Sequence, residues 1–377
     1  MKFRIERDAL ADAVAWAAKS LPSRPPVPIL AGVLMRVADG RLQVSGFDYE
    51  VSSQVTIDVQ ADADGATLVS GRLLAEITKA LPAKPVDIAA VGAHLELVCG
   101  SARFTLPTMP VEDYPTLPKM PASAGTIDAA TFATAVQQAA VAAGRDGTLP
   151  MMTGVRIEAN GSTLAMLATD RYRLALREIE WRPDDPDVSL NALVPARTLA
   201  DTAKTLGPLG GEVTMALAHG SAGEGMIGFS GGTRRTTSRL LDGGNYPPVR
   251  SLFPASHNAE ARVPVAALAE VVKRVALVAE RTTPVLLSFG EDGLVVEAGG
   301  SEDARASEAM EAGFTGEPLT IGFNPQYLLD GLSALGTPTV VFHIVDGHKP
   351  AVLAGAEDGD EPDLGYRYLI MPIRVSR

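Results

Sequence analysis

Apolar residues recur at the spacing of an amphipathic helix in three well-separated places. Leu10, Ala13, Val14 and Ala17 fall on one face of a segment beginning near Asp8; Phe132, Ala135, Val136 and Ala139 form a second set, and Leu268, Val271, Val272 and Val275 a third. The i, i+3, i+4, i+7 spacing is the same in all three, which predicts three helices that each bury one stripe. Strand-like alternation follows each of them, interrupted by Asp39-Gly40, Asn160-Gly161 and Asp292-Gly293. Such pairs tolerate the positive φ of tight hairpin turns. A second helix is then predicted in each block, from Gly71, from Pro195 and from Asn324. Pro195 and Pro325 are read as residues of a helix start, where a missing N–H costs nothing. Further strands around residues 103–106, 235–238 and 368–371 close the blocks.

Aligning Leu74, Leu199 and Leu329 gives offsets of 199 − 74 = 125 and 329 − 199 = 130 residues. A solenoid repeat is too short to enclose a core alone, but a unit of this length does so. The expectation is three related α+β domains, each with two helices packed on antiparallel sheet, over residues 1–122, 123–256 and 257–377. Pro- and Ser-containing segments at 118–123 and 254–258 are the expected linkers.

Composition narrows the class. With 46% hydrophobic and 21% charged residues in 377, the chain has enough apolar surface to fold throughout. No apolar run approaches a membrane span, and the charged start Met-Lys-Phe-Arg-Ile-Glu-Arg-Asp is unlike a signal peptide, so a cytoplasmic protein is expected. Cys99, the only cysteine, lies in a strand-like run and reads as a small core residue; no disulfide or cysteine-rich zinc site is available. The net charge of 33 − 45 = −12 taken alone argues against a nucleic-acid partner. Binding depends on local field rather than on the total, however, so an acidic exterior is compatible with a basic lining.

Catalytic signals are sparse. Gly228-Phe229-Ser230-Gly231-Gly232 fits G-x-S-x-G, and a hydrolase using Ser230 is the one enzymatic alternative. The strand-like run after it favours a hairpin turn over a nucleophile elbow. No lysine follows a glycine, so no phosphate-binding loop of the G-K-[ST] type exists. His94, His219, His257, His343 and His348 show no H-E-x-x-H or close carboxylate spacing and read as surface or strand histidines, although folding can in principle gather distant ligands; the acidic run 357–361 lacks the spaced oxygens of a calcium loop. Neither cofactor nor metal is expected.

The order of short motifs carries more information. The opening Met-Lys-Phe, Arg24-Pro25 with Pro28-Ile29-Leu30, the run from Ala168 to Leu174, Leu241-Asp242-Gly243 with Tyr246-Pro247, Ile321-Gly322-Phe323-Asn324, and Met371-Pro372-Ile373-Arg374 together resemble the bacterial sliding clamp family, the β subunit of the replicative DNA polymerase. The resemblance spans the chain. It implies a non-catalytic processivity factor, a head-to-tail homodimer whose six domains form a ring around duplex DNA, held without sequence specificity. A clamp paralogue or adaptor in repair is the alternative within the same family.

Sites follow from the resemblance residue by residue. Arg24 and Arg72 match DNA-contacting positions and Arg145 takes a neighbouring polar role, while Arg197 and Lys204, with Lys79, Lys273 and Arg274, lie on the helices that line such a ring. The competing reading of Arg24 is a loop residue capping a strand end. Pro150-Met151-Met152 stand where some clamps carry tyrosines, which argues against base or sugar stacking there. Polymerase, clamp loader and repair proteins are expected to insert a short peptide into a pocket formed by Met152, Thr169, Arg171, Tyr172, Arg173, Leu174, Pro247, Ser251, Leu252, Asn324, Tyr327, His348, Pro350, Leu369, Ile370, Met371, Pro372, Ile373 and Arg374. Arg173, Asn324 and Arg374 are its expected polar contacts, and core packing is the competing reading of Leu174, Leu369 and Ile370. Thr282 and the extension 375–377 depart from the family pattern. The dimer interface is expected to set Phe104 and Leu106 against Ala276 and Leu277 of the other subunit.

Overall fold

The computed structural model describes residues 1–218, 225–279, 283–299 and 304–374; His219, Thr282 and 375–377 lie outside them. The chain forms two compact units, each from non-contiguous segments. One comprises Met1–Ala133, Trp181–Pro186 and Thr198–Leu240, the other Thr134–Glu180, Asp187–Arg197 and Leu241–Arg377. The middle third of the sequence therefore contributes to both. Six α-helices are present among the described residues: α1 (Arg7–Ala18), α2 (Gly71–Ala80), α3 (Ala129–Ala140), α4 (Ala196–Leu206), α5 (Val265–Val275) and α6 (Pro325–Leu335). They match the six expected from periodicity, and every stripe residue named for α1, α3 and α5 is buried.

In the first unit a 14-stranded antiparallel sheet runs continuously through strands of the first two sequence repeats. The junction is the pairing of Arg234–Arg239 with Val51–Asp58, from Arg234 opposite Val55 to Ser238 opposite Val51. Exposed edges invite pairing with whatever strand is near, and here two repeats satisfy each other's edges. Leu10, Val14 and Ala17 of α1 and Leu74 of α2 pack with Val33, Met35, Val44 and Val55 into one core. Trp16 joins them while its indole N–H donates to the Gln54 carbonyl at 2.9 Å. Gly46 permits this close seating, because a Cβ there would overlap the Ala17 carbonyl. The predicted turn at Asp39-Gly40 has φ of 50° and 71°, the left-handed pair a tight hairpin needs.

The second unit contains a 9-stranded sheet and a 4-stranded sheet. Its junction between repeats is Arg173–Glu180 paired with Asp363–Ile370, Arg173 opposite Ile370 through Arg177 opposite Tyr366. Pro325 is the first residue of α6, as expected, and Asn324 caps the helix by accepting from the amides of Gln326 and Tyr327 at 2.9 and 3.1 Å. Pro195 differs from expectation. It still pairs with Gly154 at the end of Ser189–Pro195, and α4 begins only at Ala196. Sheet pairing claims the residue before helical geometry can.

Tyr366 and Tyr368, side by side on the last strand, are fully buried and join helices to sheet. The Tyr366 hydroxyl donates to the Gln138 carbonyl of α3 at 3.1 Å, and the Tyr368 hydroxyl to the Tyr327 carbonyl of α6 at 2.8 Å. Gly331 of α6 makes room for the Tyr368 ring: a Cβ there would lie 2.5 and 2.6 Å from two ring carbons. Intrinsic helix propensity favours alanine over glycine by about 1 kcal/mol, whereas overpacking a tight core costs about 1–3 kcal/mol. Gly331→Ala is accordingly expected to destabilise the protein on balance, and Gly331→Val more so. Urea unfolding of both variants checks this; a stabilised Gly331→Ala would show that the ring has space to retreat.

Candidate functional site

The residues expected to receive a partner peptide all belong to the second unit. Leu369, Ile370, Met371 and Tyr327 meet the outgoing strand or the turn itself, Thr169 to Arg173, where the strands Thr163–Thr169 and Arg173–Glu180 connect. Its shape is set by short side chains bonding to nearby backbone. The Asp170 carboxylate accepts from the amides of Tyr172 and Arg173 at 3.0 and 3.1 Å. Thr169 Oγ1 accepts from the Arg171 amide at 3.1 Å and donates to the Arg173 carbonyl at 2.7 Å. Arg171 is driven to φ 79°, a region that residues with a Cβ enter only at a cost. The turn thereby leaves Arg171 and Tyr172 exposed and sends Arg173 inward.

Arg173 is 4% exposed and holds two carboxylates, Asp170 through Nε at 3.0 Å and Asp330 of α6 through Nη1 at 2.6 Å. Burial alone would favour its neutral form; Tyr368, Asp330 and Asp170 overcome that and keep it firmly protonated. Its guanidinium lies 4.5 Å from the Tyr327 ring centroid, and that ring stacks on Tyr172 at 6.2 Å. Burial raises the ionisation range of both Tyr327 and Tyr368, with Arg173 pulling the other way. Arg173, expected as a polar contact of the pocket, therefore has a structural role as well. Its Nε and Nη1 are engaged in fixing α6 against the turn.

Other expected residues divide in the same manner. Leu174, Leu369 and Ile370 are at most 1% exposed, and Leu174 and Leu369 pack with Leu176, Tyr246, Val249 and Val352. Core is therefore the correct reading for their side chains, which form a floor rather than contacts. The Asn324 carbonyl oxygen is taken by the helix cap, and Ser251 Oγ donates to the Pro248 carbonyl at 2.9 Å. Around the floor, Tyr172, Leu252 and Met371 are 54, 53 and 39% exposed, and Met152, Pro247, Tyr327, Pro350, Pro372 and Ile373 are half-buried. The segment 371–374 is tied down at two points: the Met371 amide donates to the Tyr172 carbonyl and the Ile373 amide to the Gly322 carbonyl, both at 2.8 Å. His348 sits in an exposed turn shaped by Asp346, and Arg374 is exposed. Exposed Tyr172 and Met371 thus lie beside each other above a buried apolar layer of Leu174 and Leu369.

Sequence reasoning missed Asp330, Tyr368 and Val352. Nothing in local spacing marks them, because their partners lie 157 and 195 residues away or across a sheet.

The basic residues assigned to DNA are exposed in each unit: Arg24, Arg72, Lys79 and Lys204 in the first, Arg145 and Arg197 in the second. Arg72 also donates to the Pro22 carbonyl at 3.0 Å, linking α2 to the loop that carries Arg24. Lys273 and Arg274 are instead engaged by Glu270 and Glu308, at 2.8 and 2.6 Å. Phe104 is 37% exposed and Leu277 84%, with Ala276 partly so, but Leu106 is 2% exposed and faces the core, so it presents backbone only. Ser230 lies within the strand Met226–Gly231, paired with Thr214 and Arg235, which removes the nucleophile-elbow alternative. The described histidines are surface or strand residues, His257 exposed and His343 within Thr339–Ile344. Pairing of distant strands brings His257 and His343 into contact, a proximity no spacing along the chain reveals.

The buried ion network separates stability from surface contact. Arg173→Ala leaves two carboxylates unpaired and is expected to cost about 3–5 kcal/mol. Tyr172→Ala and Met371→Ala remove exposed side chains and are expected to stay within about 0.5 kcal/mol of the parent. Denaturant titration of the three variants distinguishes them, and near-equal losses would mean that the rim is part of the core.

Comparison with known proteins agrees across the chain. Sequence models for the N-terminal, central and C-terminal domains of the DNA polymerase III beta subunit match residues 1–118, 126–248 and 250–374. The chain is 54% identical to the beta sliding clamp of Streptomyces coelicolor and 42% identical to the beta sliding clamp homolog GriR of Streptomyces muensis, covering 100% of both chains in each case. Among solved structures it is similar to the DnaN sliding clamp of Pseudomonas aeruginosa bound to griselimycin, with a TM-score of 0.90 at 29% identity, and to the DNA polymerase sliding clamp of Bacillus subtilis, at 0.89 and 28%; both comparisons cover 100% of each chain. Similarity at full length, in sequence and in fold together, makes the chain a member of the DNA polymerase III beta-subunit family, the sliding clamps, which are polymerase processivity factors rather than enzymes.

Proposed function

We propose that two copies of this chain close head to tail into a ring on duplex DNA, and that the rim of Tyr172, Leu252 and Met371 receives the peptide by which a polymerase, clamp loader or repair protein is tethered. The observation that carries the docking half is the placement of exposed Met371 beside exposed Tyr172, through the bond from the Met371 amide to the Tyr172 carbonyl, on a turn that Arg173 ties to α6. Tethering raises the partner's effective concentration at DNA without any change in its chemistry, which is how a ring confers processivity.

Ring closure is supported by two strand edges that lack a full partner among the described residues. Ala102–Met109 pairs with His94–Cys99 along its length, but on its other side only through Thr108 and Met109. Ala306–Met310 is an edge of the four-stranded sheet. Head-to-tail association lets such edges cover each other, with Phe104 of one protomer and Ala276 and Leu277 of its partner packing beside them. In this reading the three repeats 1–122, 123–256 and 257–377 act as the ring's domains in a cytoplasmic protein. Among the described residues no helix is long and apolar enough to cross a membrane.

The DNA half requires only sparse contacts. Arg24, Arg72, Arg145, Arg197 and Lys204 are assigned to phosphate, since base-edge contacts would arrest sliding. A replicative clamp is favoured over a paralogue by the higher identity to the Streptomyces coelicolor clamp, 54% against 42% to GriR.

Three measurements test the proposal. Leu277→Asp is expected to shift the mass in solution from dimer to monomer; an unchanged dimer places the interface elsewhere. Clamp loaded on a closed circle is expected to outlast clamp on a linear fragment, with Arg24→Ala reducing loading at constant dimer mass, and equal release from both would exclude topological holding. Deleting 371–374 is expected to abolish binding of a clamp-binding peptide, with Met371→Asp as the milder variant if the truncation melts early. Retained affinity in a stable variant removes the segment from the pocket.

A further inference from the structure

His257, Glu260 and His343 form a cluster that neither the docking surface nor the DNA-facing residues use. Antiparallel pairing of Ala259–Pro264 with Thr339–Ile344 makes Glu260 and His343 direct cross-strand neighbours. Asn258 extends the match: its amide donates to the Ile344 carbonyl and its side-chain nitrogen to the Val345 carbonyl, both at 2.9 Å. His257, the residue before it, is thereby held on the same face. The two imidazole rings stack with centroids 4.3 Å apart and planes 7° from parallel. Glu260 Oε2 lies 3.8 Å from His257 Nε2 and 3.7 Å from His343 Nε2, and one donor atom from each residue falls within 4.8 Å of the others.

We propose that His257, Glu260 and His343 bind a divalent transition-metal ion of the zinc class, which clips the linker entering the third repeat onto the neighbouring strand. Two imidazoles and one carboxylate are the borderline donor set that such ions select over calcium or magnesium. Metal–ligand bonds of about 2.0–2.2 Å separate tetrahedral ligand atoms by roughly 3.4 Å. Both carboxylate–imidazole separations exceed that by less than about half an ångström. Parallel rings point their lone pairs alongside each other, so one ring must turn. His257 is the one free to do so, with its side chain 39% exposed against 14% for His343.

The carboxylate is already oriented. Arg262 Nε donates to Glu260 Oε1 at 3.0 Å and its Nη1 to the Asp360 carbonyl at 2.8 Å, which leaves Oε2 as the oxygen nearest the imidazoles. Supporting bonds of this kind fix ligating groups in metal sites. The guanidinium charge opposes a cation, and neutralisation of Arg262 by Glu260 reduces that opposition. Water completes the coordination on the open side, where His257 meets solvent.

Zinc chloride titrated into the tag-free, full-length chain is the probe. The expected results are one ion per chain by calorimetry and a Tm increase of roughly 5 °C at a hundredfold excess over Kd. His257→Ala and Glu260→Gln, at exposed or half-exposed positions, are each expected to weaken binding at least about tenfold, whereas His94→Ala and His348→Ala leave it unchanged. Copper(II) in the same site is expected to show coupling to two imidazole nitrogens in its electron paramagnetic resonance spectrum. Absence of one-to-one binding, undiminished affinity in His257→Ala, or loss of binding in His94→Ala or His348→Ala overturns the proposal. Peptide docking and ring formation are measured separately, and neither outcome depends on this one.

Discussion

Backbone pairing between Arg173–Glu180 and Asp363–Ile370 is the constraint on which the second unit depends. It joins strands nearly 200 residues apart in the chain, so the 9-stranded sheet exists only once the second and third repeats have met. The same register puts Arg173 opposite Ile370, and so delivers the turn Thr169 to Arg173 and the C-terminal segment to one place. An equivalent junction between Arg234–Arg239 and Val51–Asp58 organises the first unit. Unpaired N–H and C=O groups along a strand edge are costly to bury and hazardous to expose. Repeats that meet edge to edge remove both problems.

Within that frame the buried Arg173 network gives position more than stability. Desolvating a guanidinium and two carboxylates offsets much of their attraction, and well-packed apolar residues often do as well energetically. What the ions add is direction. Arg173 ties Asp170, on the turn, to Asp330, on α6, and its cation sits over the Tyr327 ring on which Tyr172 stacks. The exposed Tyr172 ring therefore rests on a base of mutually bonded groups centred on the buried Arg173.

Electrostatics follow a comparable division. The acidic total does not describe every surface, because many basic side chains are neutralised locally, as Arg250 is by Glu158 and Glu178 or Arg274 by Glu308. Arg24, Lys79 and Lys204 are left exposed on a loop and on helices. A small number of such charges suffices where enclosure, rather than affinity, retains the DNA.

Local periodicity was enough to determine the six helices, the Asp39-Gly40 turn and the burial of Cys99, since each depends on residues within a few positions of one another. The other two hairpins turn one residue away from the expected pairs, at Gly161-Ser162 and Glu291-Asp292. Motif order was enough to place the chain in its family. Tertiary structure alone decided that the middle repeat contributes to both compact units, that Pro195 ends a strand, and that Leu106 faces inward. It also decided which expected pocket residues are floor and which are rim. Leu174 and Tyr172 are both expected as contacts from the family motif, with core as the competing reading of Leu174 alone, and one is 1% and the other 54% exposed because a single left-handed residue, Arg171, turns the chain between strands. His257 and His343 are likewise 86 residues apart in sequence and stacked in space, because strand register brings together what chain order separates. Side-chain identity sets local conformation through short-range sterics and hydrogen bonds, whereas the face a residue finally presents depends on partners that only the folded chain supplies.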